Sequence, residues 1–368
     1  MRTIKELSRR ALDQIRPYEP GKPIEEVKAE YGLTRIIKLA SNENPLGPSP
    51  KAVAAISQAL GELHLYPDAN STALKADLAA RFNLSTDQIA VGNGSDELIK
   101  RLAETFLTAE DEIVVAKPTF SEYRFAAQLM GATTREVPCR DGLHDLAGMR
   151  EAIGPKTKMV FICNPNNPTG TYVPGELIAD FISQLPRDLL VIFDEAYAEY
   201  VTASDYASGL SLLPEYPNVV VLRTFSKIYG LAALRIGYAM ASPEIIGLLE
   251  KAREPFNVNR LAQIAARAAL SDTEFLERSR QSNNAGIEQL LAGFARFDWE
   301  PVPTQTNFIL VDTKRDAREL FKQLLAQGVI IRPADIFGLP TYIRVTVGTE
   351  EENALFLQAV AKILADQE

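Results

Sequence analysis

The sequence has two cysteines, two histidines and one tryptophan in 368 residues. Cys139 and Cys163 are too few and too isolated for a disulfide framework, and with only His64 and His144 beside them no Cys/His metal constellation can be assembled. The same scarcity of histidine leaves a Ser-His-Asp triad poorly supported. Long apolar runs are missing: none approaches the roughly 20 residues that cross a bilayer. The opening stretch MRTIKELSRRALDQI alternates charge with apolar side chains at helical spacing instead of forming a secretory signal, so the expected location is the cytoplasm. Basic clusters are missing too. A net charge of -9 spread along the chain argues against nucleic acid or an anionic membrane as partner. What is present is a 46% hydrophobic chain without repeats or low-complexity segments, long enough for one large core and an appendage or second domain. This is the profile of a globular enzyme acting on small molecules.

From about residue 85 to 255, short Val/Ile-rich runs alternate with longer segments of helical period, the pattern of an α/β layer around a mostly parallel sheet. Seven runs read as strands: 88–91, 112–116, 133–137, 158–163, 189–193, 219–222 and 236–240, most of them bounded by Pro, Gly, Asn or Asp. Several read as buried on both faces. Beyond 275 a long helical stretch leads to strands at 307–311, 329–332 and 342–347 with helices between, which reads as a smaller α+β domain. The expected organisation is therefore an arm at 1–35, a large domain at 36–274 and a small one at 275–368, with the arm, a helix followed by the turn-rich RPYEPGKP, packed on the small domain.

Ligands on open parallel sheets sit beyond the carboxyl ends of the strands. There the sequence is rich in polar residues: NPNNPTG (164–170) after one strand, DEAY (194–197) after the next, RTFSK (223–227) after a third. GNGSDE (92–97) runs straight into a helix at 98–107, whose free backbone N–H groups make an anion site. Each piece alone has a plain structural explanation. Asp194 could be a turn residue, Lys227 a surface lysine, GNGSDE a helix start; it also lacks the third glycine of a dinucleotide fingerprint. Their order and setting together point to chemistry that stabilises a carbanion beside an amine. A lysine forms a Schiff base, a carboxylate keeps a pyridine nitrogen protonated, and a phosphate anchor holds the cofactor. Lys227 and Asp194 suit the first two roles. Asn167 or Tyr197 could donate to the ring's phenolic oxygen, and Phe120 in KPTFSEY could stack on the ring, although a Phe at a helix start is also plain core.

These residues resemble the fold-type I aminotransferases, and within them the histidinol-phosphate aminotransferase family. KLASNENPLGPSP (38–50), YPD (66–68), GNGSDE, NPNNPTG, DEAY, TFSKIYGLAALRIGY (224–238) and YIRVTVGT (342–349) follow that family's segments in order, nearly end to end. The resemblance implies a large domain with a mostly parallel seven-stranded sheet flanked by helices, pyridoxal 5′-phosphate as cofactor, and transamination between L-histidinol phosphate and 2-oxoglutarate or glutamate in histidine biosynthesis. It implies that Lys227 is the Schiff-base lysine and proton shuttle, that Asp194 pairs with the pyridine nitrogen, and that Asn167 and Tyr197 contact the phenolic oxygen. Ser95, Asp96 and Glu97, with Ser226 and Arg235, fall at the cofactor-binding positions, and Phe120 at the stacking position where many relatives have Tyr. Tyr66 is expected to reach the cofactor phosphate of a neighbouring subunit, making the active unit a homodimer. Arg344 matches the arginine that forks onto the substrate's carboxylate or other anionic end. Arg332 and Tyr18 match positions associated with the substrate phosphate, and Asn42 lies near the substrate. Ala233 departs from a common glycine, for which a small packing change is expected. Three rivals stand beside this reading: an aromatic amino-acid aminotransferase, a threonine-phosphate decarboxylase on the same scaffold, and a non-enzymatic phosphate-ligand binding protein.

Overall fold

The computed structural model describes residues 3–15, 17 and 22–366. Seven strands form one sheet in the order Ile89–Gly92, Gly237–Ala241, Val219–Thr224, Leu190–Asp194, Thr157–Cys163, Glu112–Lys117, Thr133–Pro138. All lie parallel except Gly237–Ala241, which runs against both of its neighbours. Each strand lies within two residues of the position read from sequence. The apolar runs are continuous because both faces are covered. Val160, Ile162, Val191, Phe193, Val219 and Val221 point into one core, whereas Met159, Phe161, Ile192, Val220 and Leu222 point into another on the opposite face. A period-2 structure buried on both sides has no polar face to show in its sequence.

The helix expected at 98–107 is Ser95–Phe106. It starts three residues early because Gly94, at φ +84°, turns the chain sharply enough for Ser95 to enter the first turn. A second antiparallel sheet runs Arg332–Pro333, Tyr342–Thr346, Phe308–Asp312, Glu300–Pro301. The helices Thr273–Arg296, Ala317–Ala326 and Glu350–Ala365 share its core through Leu290, Phe294, Leu320, Leu324, Phe356 and Val360.

The run 329–332 differs from expectation, because it splits between two sheets. Val329–Ile330 pairs in parallel with Ile37–Lys38, and Arg332–Pro333 pairs with Tyr342–Thr346. Pro333 has no N–H to extend the second ladder, so that piece stays two residues long. The arm differs too. It holds a short helix Ile4–Leu7, a 3-10 turn Arg10–Gln14 and a separate helix Ile24–Tyr31 whose Val27 packs with Ala40, Leu325 and Ile330. Among the described residues no helix is long and apolar enough to cross a membrane.

Candidate active site

Leu190–Asp194 and Val219–Thr224 are adjacent and parallel, so they deliver their following residues to the same end of the sheet. Asp194 closes its strand with an Asx turn: Oδ1 accepts the N–H of Ala196 at 3.2 Å. The neighbouring strand turns through Phe225 and Ser226, whose N–H donates to Thr224 Oγ1 at 3.0 Å, and reaches Lys227. Gly230 ends that turn at φ +68°, and a Cβ there would stand 2.1 Å from the carbonyl oxygen of Gly47, so the close approach admits only glycine. By contrast Ala233, in the 3-10 turn Ala232–Leu234, is exposed and has no positive φ, which explains why a glycine is not required there.

These turns open onto a cavity of about 700 Å³. Asp194 and Lys227 both line it, together with Asn167, Tyr197, Phe120, Asn42, Arg332 and Arg344. Asn42, held at φ +56°, donates to Tyr197 Oη at 2.9 Å and is itself fixed by Thr346 Oγ1, which receives its N–H at 2.9 Å. Arg344 donates to Asn167 Oδ1 and to the carbonyl of Ala40. Lys227 Nζ lies 3.4 Å from the Ser41 carbonyl oxygen and 5.7 Å from the centre of the Tyr197 ring.

At one end of the cavity the helix Ser95–Phe106 presents its first turn, and Gly94 supplies no side-chain cap for the N–H groups there. Ser95, Asp96, Ser226 and Arg235 surround that end, with Arg235 donating to Asp96 at 2.9 Å and to Ser226 Oγ at 3.4 Å. Uncapped N–H groups, a hydroxyl pair and a guanidinium make an anion cradle. The Glu97 side chain is set apart from this group. Its carboxylate does not line the cavity but accepts from Asn257 Nδ2 at 2.9 and 3.0 Å and faces Arg101 at 3.7 Å. Successive helix residues point about 100° apart, so when Ser95 and Asp96 face the cavity the next residue turns away. Tyr66 does not line its own chain's cavity either: it is 79% exposed and stacks on Phe256 at 4.6 Å. Tyr18 lies outside the described residues.

Burial dominates the electrostatics. Asp194, only 3% exposed, is pushed up to about 6 by desolvation, against the pull of hydrogen bonds from Tyr123 and the Ala196 N–H. Lys227 is lowered to about 8, first by the surrounding protein and then by the charge of Arg344. A buried carboxylate whose hydrogen-bond donors are both neutral suits a cationic ring nitrogen. A softened amine nearby suits a carbonyl, and the cradle suits a phosphate. The residues present therefore fit pyridoxal phosphate.

Two features were not visible in sequence. Tyr123, on the helix Glu122–Met130, donates to Asp194 Oδ2 at 2.6 Å. Arg332 stands directly opposite Arg344 in the antiparallel register, so two guanidinium groups occupy one face and both line the cavity. Like charges directly opposed across strands are unfavourable unless an anion lies between them.

The family model of aminotransferase class I and II matches residues 34–360. The chain is 53% identical to the histidinol-phosphate aminotransferase of Moorella thermoacetica, over 97% of this chain and 93% of that protein. It is 50% identical to the one from Brevibacillus brevis, over 94% and 95% respectively. The crystal structure of histidinol-phosphate aminotransferase from Sinorhizobium meliloti in complex with pyridoxal-5′-phosphate superposes with a TM-score of 0.90 at 29% identity, covering 98% of each chain. The seven-stranded sheet, the cavity at its carboxyl edge and these likenesses agree: the chain belongs to the class I and II aminotransferases, and within them to the histidinol-phosphate aminotransferase family.

Proposed function

We propose that this enzyme transfers an amino group between L-histidinol phosphate and 2-oxoglutarate, using pyridoxal 5′-phosphate bound in the 700 Å³ cavity. The observation that carries the chemistry is the entry of Lys227 and Asp194 into one cavity from adjacent parallel strands. When bound, the cofactor supplies a carbonyl for the amino group and a protonated pyridine ring that draws electrons away from the neighbouring carbon. Lys227 Nζ would be the attachment point and, as a free amine, the base that would take the substrate's α-proton and return it to the cofactor's carbonyl carbon. Asp194, as a carboxylate, would accept the ring nitrogen's N–H and so keep that nitrogen protonated. Asn167 and Tyr197 would donate to the phenolic oxygen, Phe120 would cover one face of the ring, and the N–H groups at the helix start, Ser95 and Asp96 among them, with Ser226 and Arg235 would hold the phosphate.

The arginine pair supports the substrate class. Two guanidinium groups opposed on one face favour negative charge there, and the substrates supply it as a phosphate on one side of the reaction and two carboxylates on the other. Arg344 takes the α-carboxylate of glutamate, and Arg332 takes the phosphate of histidinol phosphate, with Tyr18 and Asn42 beside the substrate. Arg332→Gln is expected to raise KM for histidinol phosphate by about 10- to 100-fold, the range of one charge-assisted contact, while leaving the maximal rate of the glutamate half-reaction within a few fold. Single-turnover kinetics of the two half-reactions measure this. Comparative turnover tests the substrate itself: histidinol phosphate should outrun phenylalanine and threonine phosphate, and a preference for either competitor rejects the assignment.

The active unit in this reading is a homodimer. Tyr66 stacks on the exposed ring of Phe256, and Leu63 and Leu65 just before it in the chain are exposed too, apolar side chains suited to a second copy of the chain, with Tyr66 reaching across to the partner's cofactor phosphate. Sedimentation should give twice the chain mass. Tyr66→Phe should keep that mass and weaken cofactor retention by roughly tenfold, the worth of one hydrogen bond to a charged group; a monomeric active enzyme would contradict it.

A further inference from the structure

Tyr123 stands behind the cavity wall, closed off from solvent at 1% exposure. Its ring lies flat on Phe161, with centroids 4.5 Å apart and planes 15° from parallel, and meets the edge of Phe120 at 5.7 Å and 80°. Two aromatic contacts in different planes fix the ring, and the hydroxyl arrives 2.6 Å from Asp194 Oδ2, the length of an O–H donating to an ionised oxygen. The other oxygen, Oδ1, takes the Ala196 N–H. Four other ionisable groups bear on Asp194: Asp96 from the helix start, Lys227 from the turn after the next strand, Cys163 paired with it on the adjacent strand, and Tyr197 three residues on. Tyr123 is the only side chain among them that hydrogen-bonds the carboxylate, among the described residues.

We propose that Tyr123 is a positioning residue that keeps Asp194 ionised and aimed, and so sets how firmly the cofactor's ring nitrogen keeps its proton. This rests on the functional reading above for the identity of the ring. A neutral donor suits the task. A lysine or arginine in its place would cancel the charge that Asp194 must offer, whereas a phenol stabilises the anion without competing for the pyridine proton. The phenol also stays a donor, because burial and the neighbouring carboxylate push its own ionisation well above the usual range.

The test is Tyr123→Phe, which keeps the ring on Phe161. In the cofactor-free protein, NMR of carboxyl-labelled aspartate, assigned with Asp194→Asn, should show the Asp194 ionisation moving upward by about one unit or more. In the loaded enzyme kcat should fall between about 10- and 100-fold, with KM for glutamate within about twofold and the acid limb of the kcat profile displaced to higher pH. In an Asp194→Asn background the same Phe substitution should change kcat less than about twofold, because the two act as a unit. An unmoved carboxyl titration, or an equal loss of kcat in both backgrounds, overturns the proposal in favour of a packing role. Should the Phe variant fail to fold, fluorotyrosine at position 123, a more acidic donor, should lower the Asp194 ionisation, and no movement there overturns it as well. A wild-type protein without transaminase turnover would instead reject the functional reading, while the NMR titration still reports on the tyrosine.

Discussion

Lys227→Ala is expected to leave a folded protein whose turnover has fallen by roughly 10,000-fold or more, since in the function proposed above one side chain serves as both attachment point and proton carrier. The residual cavity would still bind the phosphate and the ring, because the cradle of Ser95, Ser226, Arg235 and the helix N-terminus does not depend on the amine. The variant should therefore retain weak cofactor binding but lose the absorbance shift that accompanies covalent attachment. Lys227→Arg separates charge from chemistry: it keeps a cation but is never deprotonated near neutral pH, and it should be as inactive as alanine. The wild-type amine is held near 8 by burial and Arg344, so cofactor loading should accelerate as pH rises towards that value and level off above it. Stopped-flow loading at a series of pH values measures the limb. A loading rate independent of pH between 6 and 9, or an active alanine variant, would sink the role.

Asp194→Asn should move stability and activity in opposite directions. The folded-state carboxyl titrates near 6 against an ordinary 3.8, so folding favours its protonated form. The contribution is therefore fully present below about pH 4 and is lost as pH rises through 6, leaving the cofactor-free protein at neutral pH with a penalty on the order of 2–3 kcal/mol. An amide of the same shape carries no such charge penalty: its oxygen keeps the Ala196 N–H, and its Nδ2 donates to the Tyr123 hydroxyl, which turns to accept. The cofactor-free variant should melt a few degrees higher than wild type at pH 7.5, and the difference should shrink towards pH 4. Its turnover should nonetheless drop roughly 1,000-fold, because an amide cannot stabilise a protonated ring nitrogen. Calorimetry of both proteins across this pH range, beside steady-state kinetics, checks both halves. A variant no more stable than wild type when cofactor-free would mean that the carboxylate already has a compensating partner in the empty cavity.

Much of the fold was readable because the strands alternate with helices, and every strand of the large sheet ends on a turn residue or a change to polar composition. The readings that failed did so where spacing is blind to pairing. The run 329–332 is uniformly apolar until Arg332, and nothing local says that its first half joins Ile37–Lys38 while its second joins Tyr342–Thr346. Which face of the helix meets the cavity is equally silent in the sequence, and the helical rotation carries the Glu97 carboxylate to Asn257. The early helix start at Ser95 depended on the positive φ of Gly94, which a glycine permits but does not announce.

By itself the sequence determined which groups were available and on which strand ends they would sit: an amine at Lys227, a carboxylate at Asp194, glycines before a helix that can receive an anion. Those are local properties, fixed by composition and by the alternation of strand and turn. Only the tertiary structure decided that Tyr123, 71 residues before Asp194, would bind its carboxylate, and that Arg332 and Arg344 would stand opposite each other over one cavity. Contacts of that kind are set by which strands become neighbours and in what register, and burial then changes the proton affinities of the groups they enclose.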